Sequence, residues 1–347
     1  MVHNMMMQTG KKSSRIPLLP LLFLLLALAV LVSILIGRYS ISWSSFLSLL
    51  AGGGGPKTMD DQAQMVLFQV RLSRIGAAVM IGAALAGAGS AYQGIFKNPM
   101  VSPDILGASA GAGFGASVAI SLGWNALGVQ LLAFGCGMIA VLLAYLMSLA
   151  IGRQTGGTTL ILVLTGMVVG ALFTAFISII KYVGDPYDTL PAITFWLMGG
   201  LSYVTGYDLL VMLFPFLLGG VPLLLLRWRL NILSLGDEEA NTLGVDTAKM
   251  RGVVILCATL LSSSAVAVGG MIGWVGLIVP HLARMIAGPD YQKLLPVAMV
   301  LGGIFLLVVD DGARCLFAME LPLGVLTAVV GAPFFLYLLF RGRRSFL

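Results

Sequence analysis

The chain alternates between long, uninterrupted apolar runs and short polar connections. Ten runs of about twenty residues stand out, and none has the every-second-residue alternation of a lipid-facing β-strand. About twenty helical residues cross a ~30 Å hydrocarbon core. The runs therefore predict ten transmembrane helices, at roughly 17–37, 75–95, 106–123, 127–151, 160–181, 207–226, 252–268, 272–288, 294–310 and 323–340.

The predicted fold class is an all-α integral membrane protein with about ten transmembrane helices. We divide it into an N-terminal tail, residues 1–16, and a single polytopic domain, residues 17–347. Composition agrees, because 59% of the 347 residues are hydrophobic and only 10% are charged, against roughly 25% charged in soluble domains. The mean hydropathy is +1.02. These values exclude a soluble protein.

The basic residues indicate the orientation of the spans. The first apolar run is too long for a signal-peptide core and lacks a small-residue cleavage site, so we interpret it as an anchor. With the N-terminus in the cytoplasm, fourteen of the twenty Lys and Arg residues fall inside, as the positive-inside rule expects. The six left outside are Arg38, Lys57, Arg71, Arg74, Lys181 and Arg314. Both termini are then cytoplasmic.

Two short segments outside the spans are also predicted to be helical. Residues 190–198 form a helix too short to cross, which we expect to be re-entrant on the outer side. Residues 231–251 form the longest polar connection, where Ser234 and Asp237 fit a capping box and Gly244 fits a C′ stop. This surface helix is either a docking site for a cytoplasmic partner or a solvated loop helix.

Small residues repeat every four positions in two of the predicted spans. One set is Gly82, Ala86, Ser90 and Gly94, and the other is Gly107, Gly111 and Gly115. Such strips let helix backbones approach closely in lipid.

Other motifs are weak. GGGGPKT at 52–58 has Pro56 where a phosphate loop needs Gly, and lies outside. The G-x-S-x-G match at 107–111, considered with His281 as a membrane hydrolase, lacks a strand-turn-helix context. The net charge of +6 comes from scattered residues and does not indicate nucleic-acid binding. The three cysteines lack metal-site spacing.

A channel or ion-coupled carrier acting without an ATPase is the alternative function. It would need ionisable residues at membrane depth, and the predicted spans have none near their centres: Arg284, Asp208 and Asp310 fall near span ends. We therefore expect an external energy source.

Four long segments resemble the FecCD family of ATP-binding-cassette importer permeases. They are RLSRIGAAVMIGAALAGAGSAYQGIFKNPMVSPDILGASAGAGFGA (71–116), LNILSLGDEEANTLGVD (230–246), IGWVGLIVPHLARMIAGPD (272–290) and ELPLGVLTAVVGAPFFLYLLFR (320–341). The resemblance runs from about residue 17 to 344. It implies a permease of the bacterial or archaeal cytoplasmic membrane that moves ferric siderophores, haem, cobalamin or related chelates.

The resemblance also implies partners. Such permeases form homodimers with the pathway on the two-fold axis, and two cytoplasmic ATPase subunits bind below. ATP and Mg then belong to the ATPase, and this chain carries no catalytic site, metal or cofactor of its own. The family's coupling surface matches loop 231–251, which favours docking over a solvated loop helix; the residues implied are Ser234, Leu235, Asp237, Glu238, Glu239, Leu243 and Gly244.

On the outer face, the resemblance implies docking of a periplasmic or lipoprotein substrate-binding protein. The positions that match the family's docking arginines are Arg71, Arg74 and Arg314. The alternative is that these arginines only extend along the membrane to its polar interface.

The resemblance places two gates as well. The inner gate corresponds to Asn98, Pro99, Met100, Thr158 and Thr159. The re-entrant helix, with Phe195 and Trp196, resembles the outer gate. The cargo stays open among siderophore, haem, corrinoid and oxyanion.

Overall fold

The structure is a computed structural model and describes residues 18–37, 65–155, 158–316 and 319–342. Every regular element in these ranges is helical. The tail at 1–16 and the predicted outer residues Arg38 and Lys57 lie outside the described residues. The α-helices are α1 (Leu18–Leu35), α2 (Leu72–Phe96), α3 (Ala108–Ser121), α4 (Ala126–Thr155), α5 (Thr158–Val183), α6 (Thr189–Met198), α7 (Gly206–Leu235), α8 (Asp237–Thr242), α9 (Thr247–Gly269), α10 (Val275–Ala287), α11 (Tyr291–Cys315) and α12 (Leu323–Gly342).

Seven of the described helices are long and apolar enough to cross a membrane: α1, α2 with its preceding turn, α4, α5, α7, α9 and α11. The apolar helices α3 and α10 have 14 and 13 residues, or about 20 Å each, and so need flanking irregular chain to complete a crossing. A 3₁₀ turn (Pro103–Leu106) precedes α3 and a non-helical stretch precedes α10. The all-α fold is confirmed; the count of ten spans and the cytoplasmic termini stay predictions.

Helix α2 is the centre of the molecule. With its preceding π-helical turn, Val66–Arg71, α2 forms one apolar span. In the most apolar 18-residue window of that span 78% of residues are buried, against 17% for α1 and 22% for α7. It packs against α7, α9, α10 and α11. These four helices form a shell around α2, whereas α3, α4 and α5 pack mainly on one another.

Glycines set the distance between these helices. A Cβ added at Gly82 of α2 would lie 2.1 Å from the Gly302 carbonyl oxygen of α11, and one at Gly89 would lie 1.9 Å from the Gly276 oxygen of α10. A Cβ at Gly111 or Gly115 of α3 would likewise lie about 2.5 Å from carbonyl oxygens of α4. The predicted small-residue strips thus lie at backbone-to-backbone contacts.

Helix α6 is the short helix predicted at 190–198, and its ten residues span only about 15 Å. Backbone hydrogen bonds fix the turn that follows it. Gly200 N–H donates to the Gly269 carbonyl (2.8 Å), and Leu323 N–H donates to the Gly199 carbonyl (2.9 Å). The turn after α6 therefore joins the end of α9 to the start of α12.

A single methyl group should separate these contacts from ordinary glycines. Gly89→Ala and Gly135→Ala both gain roughly 1 kcal/mol of helix propensity, but nothing lies within 4 Å of a Cβ at Gly135. We expect Gly89→Ala to lose about 1–3 kcal/mol through overpacking and to lower the thermal unfolding midpoint in detergent. The Gly135→Ala control should unfold at or above the wild-type temperature. Equal midpoints for the two variants would contradict the packing described here.

Candidate functional site

The loop predicted to couple the chain to an ATPase begins later than expected. Helix α7 continues through Ser234 to Leu235, and the Ser234 hydroxyl donates to the Asn231 carbonyl inside that helix (2.7 Å). The predicted capping box is therefore wrong. The residue before α8 is Gly236, whose φ of +154° lets the chain turn sharply.

The predicted end of the surface helix is confirmed. Gly244 has φ +79°, its N–H donates to the Asn241 carbonyl, and Val245 N–H donates to the Ala240 carbonyl, each at 3.0 Å. These two bonds form a Schellman motif, in which a left-handed glycine ends the helix. The helix itself, α8, has only six residues.

All seven residues predicted for coupling are exposed. Leu235 and Leu243 are 62% and 60% exposed and flank α8, so their apolar surface lies in the polar loop. Asp237 is also held from within the chain, because Arg251 Nη2 lies 2.9 Å from both of its carboxylate oxygens. Asp237 therefore fastens α8 to α9, and Glu238 and Glu239 are the other two exposed acids of α8.

Two further acids anchor the same end of the molecule. Asp290 accepts from Asn231 Nδ2 (2.7 Å), while Tyr291 N–H donates to Asn231 Oδ1 (2.8 Å), so the end of α7 is joined to the start of α11. The Asn231 bond lowers the pKa of Asp290. The backbone N–H of Lys249 and its ammonium lower the pKa of Asp246, the N-cap of α9. Both carboxylates are therefore ionised at neutral pH.

The three predicted docking arginines are buried, with exposures of 4% (Arg71), 6% (Arg74) and 6% (Arg314). Arg71 Nη1 donates to the Ile34 carbonyl (2.6 Å), and Arg314 Nη2 donates to the Ser33 carbonyl (3.0 Å). These carbonyls belong to the last turn of α1, which no further helical N–H can reach. None of the three therefore projects from the surface, and Arg71 and Arg314 cap the end of α1.

Arg74 is part of a buried ionic cluster. Its Nε lies 2.9 Å from Asp310 Oδ2, and its Nη1 lies 2.9 Å from Glu320 Oε2. Asp310 is fully buried, and Arg314 also pairs with Asp311. Glu320 accepts from Ser202 in the turn after α6 as well. The cluster therefore joins α2 and α11 to the loop after α6 and the loop before α12.

The predicted inner-gate residues lie in two places, the turn after α2 and the start of α5. The Asn98 side chain accepts from Met100 N–H (2.9 Å), and Lys97 has a left-handed φ of 49°, so the chain turns tightly after α2. Met100 is 47% exposed, and Thr159 lies in the first turn of α5. At the other predicted gate, Phe195 is 67% exposed, whereas Trp196 packs against the cluster formed by α3, α4 and α9.

Sequence reasoning missed one ionisable side chain. Asp104 lies in the 3₁₀ turn before α3 and lines a cavity of about 430 Å³, together with the end of α6, the α9–α10 connection and the start of α12. Ser109 donates its hydroxyl to the Asp104 carboxylate. Ser109 follows this 3₁₀ turn, so the G-x-S-x-G match lacks the preceding strand that a hydrolase requires. The acidic Asp104, after Pro103 and directly before an apolar run, was the available signal.

A buried ion pair differs sharply from an exposed one, which yields a test. Arg74→Met leaves buried Asp310 with only its longer contact to Arg314 (3.8 Å), and we expect a loss of about 3–5 kcal/mol of stability. Arg74→Met combined with Asp310→Leu should cost less than the single change. The control is Lys249→Met, which breaks the exposed Lys249–Asp246 pair (3.0 Å) and should cost about 0–1 kcal/mol. Thermal unfolding in detergent measures all three, and equal losses in the two single variants would refute the burial of this cluster.

The seven membrane-length helices, the short helix α6 and the exposed loop at α8 are those of a polytopic membrane protein. The sequence profile of the FecCD transport family matches residues 25–341, and the chain belongs to that family. It is the permease component of a metal-chelate type ABC importer, a multi-pass subunit of a bacterial or archaeal membrane that is not itself catalytic.

Individual relatives agree with this assignment. The chain is 42% identical over 326 residues to the molybdate import system permease protein MolB of Haemophilus influenzae, covering 93% of this chain and 95% of that one. It is 41% identical over 288 residues to the cobalamin import system permease protein BtuC of Halobacterium salinarum, covering 82% and 75%. A solved inward-facing metal-chelate type ABC transporter superposes with a TM-score of 0.83 at 40% identity, covering 93% of this chain and 98% of that one.

Proposed function

We propose that this chain imports a metal chelate, such as a ferric siderophore, haem or a corrinoid, through a homodimer driven by two cytoplasmic ATPase subunits. The observation that carries the proposal is the inner surface around α8. There the short helix α8 is fixed by the Asp237–Arg251 pair. It carries two exposed glutamates and is flanked by two exposed leucines. ATP and Mg act on the partner subunits, and this chain supplies the pathway.

Reconstitution tests this function directly. The permease is purified with its ATPase, placed in proteoliposomes with the substrate-binding protein, and assayed for uptake of a ferric hydroxamate and of cyanocobalamin. We expect uptake that requires ATP hydrolysis. Identifying the ligand that copurifies with the binding protein, by mass spectrometry, then names the cargo. Uptake that proceeds equally without ATP would favour the alternative, a passive or ion-coupled transporter.

The ATPase should bind mainly through the two exposed leucines. Burying one leucine side chain contributes about 1.5–3 kcal/mol, whereas one exposed ion pair contributes about 0–1 kcal/mol. We therefore expect Leu243→Asp to weaken ATPase binding by tenfold or more, and Glu238→Lys to weaken it less. Copurification of the ATPase and its dissociation constant measure both effects.

The matched control for that experiment is Tyr187→Lys, a residue that is 93% exposed in the turn between α5 and α6, on the predicted outer side. It changes charge without touching the α8 surface. Wild-type ATPase affinity in both Leu243→Asp and Glu238→Lys would contradict coupling through this loop.

We place the substrate-binding protein on the outer surface above the ionic cluster of Arg74 and Asp310. Docking through Arg71, Arg74 and Arg314 themselves stays a prediction. Because these side chains are buried, a partner would reach them only after displacing part of that surface. Variants at these positions therefore need the stability control described above before a loss of docking is interpreted.

The inner gate can be located by crosslinking. If residues 98–100 of two subunits meet on the axis, Met100→Cys should form a disulfide with its symmetry mate when the pathway is closed, and ATP binding should change the yield. The native thiols Cys136, Cys257 and Cys315 are free and are replaced first. The cysteine-free parent is the control. Absence of the crosslink in every nucleotide state would move the constriction elsewhere, with α6 the next segment to test.

A further inference from the structure

The 3₁₀ turn Pro103–Leu106 carries Asp104 into the membrane, although it follows a connection on the inner side. A Cβ on Gly276 would lie 2.5 Å from Pro103 Cδ, and Gly276 itself contacts Gly89 of α2. Gly89 is eight residues before Lys97, where α2 ends, which corresponds to about 12 Å along the helix axis.

Helix α5 confirms this depth independently. A Cβ on Gly166 would lie 2.4 Å from the Ile105 carbonyl oxygen and 2.8 Å from Leu106 Cα. Gly166 is eight residues from Thr158, the first residue of α5, so this distance is again about 12 Å. Two helices thus place Asp104 well inside a ~30 Å hydrocarbon core.

The Asp104 side chain is exposed to a cavity at this depth. Of the residues described as lining the cavity, Asp104 is the sole ionisable one, and Ser109 is its polar neighbour. The rest of the wall is apolar or small: Leu197, Met198, Met271, Ile272, Gly273, Gly324, Val325, Ala328 and Val329.

An ionisable side chain at this depth is unfavourable against lipid and in known membrane proteins faces a water-filled cavity or the bundle interior. The cavity lies beside the end of α6, which we have proposed as part of the outer gate. The cavity wall therefore belongs to the pathway, provided that the proposed import function holds.

We propose that Asp104, positioned by Ser109, is a selectivity residue of the translocation pathway. Its negative charge favours a neutral or cationic chelate whose apolar periphery suits the methionine and aliphatic wall, and it excludes free oxyanions. In a homodimer two such carboxylates would face one passage, and a low-dielectric wall strengthens their field.

A purely structural role would leave a different signature. Asp104 accepts from the Ser109 hydroxyl in the first turn of α3, where a carboxylate is also favourable to the helix dipole. Asp104→Asn keeps an oxygen that can accept from Ser109 but removes the charge, and Asp104→Glu keeps the charge. If the role is structural alone, Asp104 adds no field to the cavity, and the cavity favours cations over anions equally in these two variants.

Charged thiol reagents report on that electrostatics without any transport. Val329→Cys, at a cavity position that is 64% exposed, is made in the cysteine-free permease and coexpressed with its ATPase. Broken membranes, in which the reagent reaches both faces of the protein, are treated with a cationic (trimethylammonium) or an anionic (sulfonate) methanethiosulfonate. The matched control is Leu122→Cys, which is 61% exposed in the uncharged turn between α3 and α4.

We expect the cation-to-anion rate ratio at Val329→Cys to exceed that at Leu122→Cys by about tenfold. Asp104→Asn should bring the two ratios within about threefold of each other, and Asp104→Glu should restore the difference. A ratio that Asp104→Asn does not change, or a Val329→Cys that neither reagent modifies, would overturn the proposal.

Transport by proteoliposomes separates this inference from the proposed function. The probes are molybdate, a neutral ferric hydroxamate and cyanocobalamin. ATP-dependent uptake of a neutral chelate, without molybdate uptake, is expected. ATP-dependent uptake of molybdate by the wild-type protein would leave import intact but overturn the selectivity of Asp104. Uptake of no probe would count against the proposed function, and the reagent ratio would then decide the role of Asp104.

Discussion

Close backbone contact along α2 is the constraint on which the rest of the structure depends. Lipid tails are as apolar as leucine, so burial of apolar surface does not drive helices together in a membrane. Association has to come from contact area, and contact area grows as backbones approach. Gly82 and Gly89 let α11 and α10 lie directly on α2. The same contact at Gly276 supports Pro103, so the turn that carries Asp104 is positioned by glycine packing.

Charged side chains in this protein hold helices together, in addition to indicating the orientation of the spans. Arg71 and Arg314 bind the last carbonyls of α1, and Arg74 binds Asp310 and Glu320. A charge in this position is tolerable because each guanidinium has fixed acceptors. The consequence is that α1 and α11, which are far apart in sequence, are held at the same end of the bundle.

The sequence was sufficient for the elements but not for these partners. Continuous apolar runs predict helices because span length is a single physical requirement, and Gly244 predicts a helix end because few other residues tolerate a left-handed φ. The partner of Arg74 lies 236 residues away in Asp310, and no local pattern encodes that distance. Ser234 was misread because the run before it continues as helix α7, which removes the N-cap. Asp104 was missed because a short turn packed between α5 and α10 resembles an ordinary loop in a hydropathy pattern.

Side-chain contacts connect the six-residue helix α8 to the long helices of the bundle. Asp237–Arg251 joins α8 to α9, and Asn231–Asp290 joins the end of α7 to the start of α11. A force on α8 is therefore transmitted to α7, α9 and α11 through these hydrogen bonds and the chain itself. Helices α9 and α11 both pack on α2, and α9 ends where the turn after α6 hydrogen-bonds to it at Gly269. The chain of contacts from the α8 surface to the cavity of Asp104 thus consists of packed helices and short hydrogen bonds, so a displacement at one end should be carried as rigid-body movement to the other.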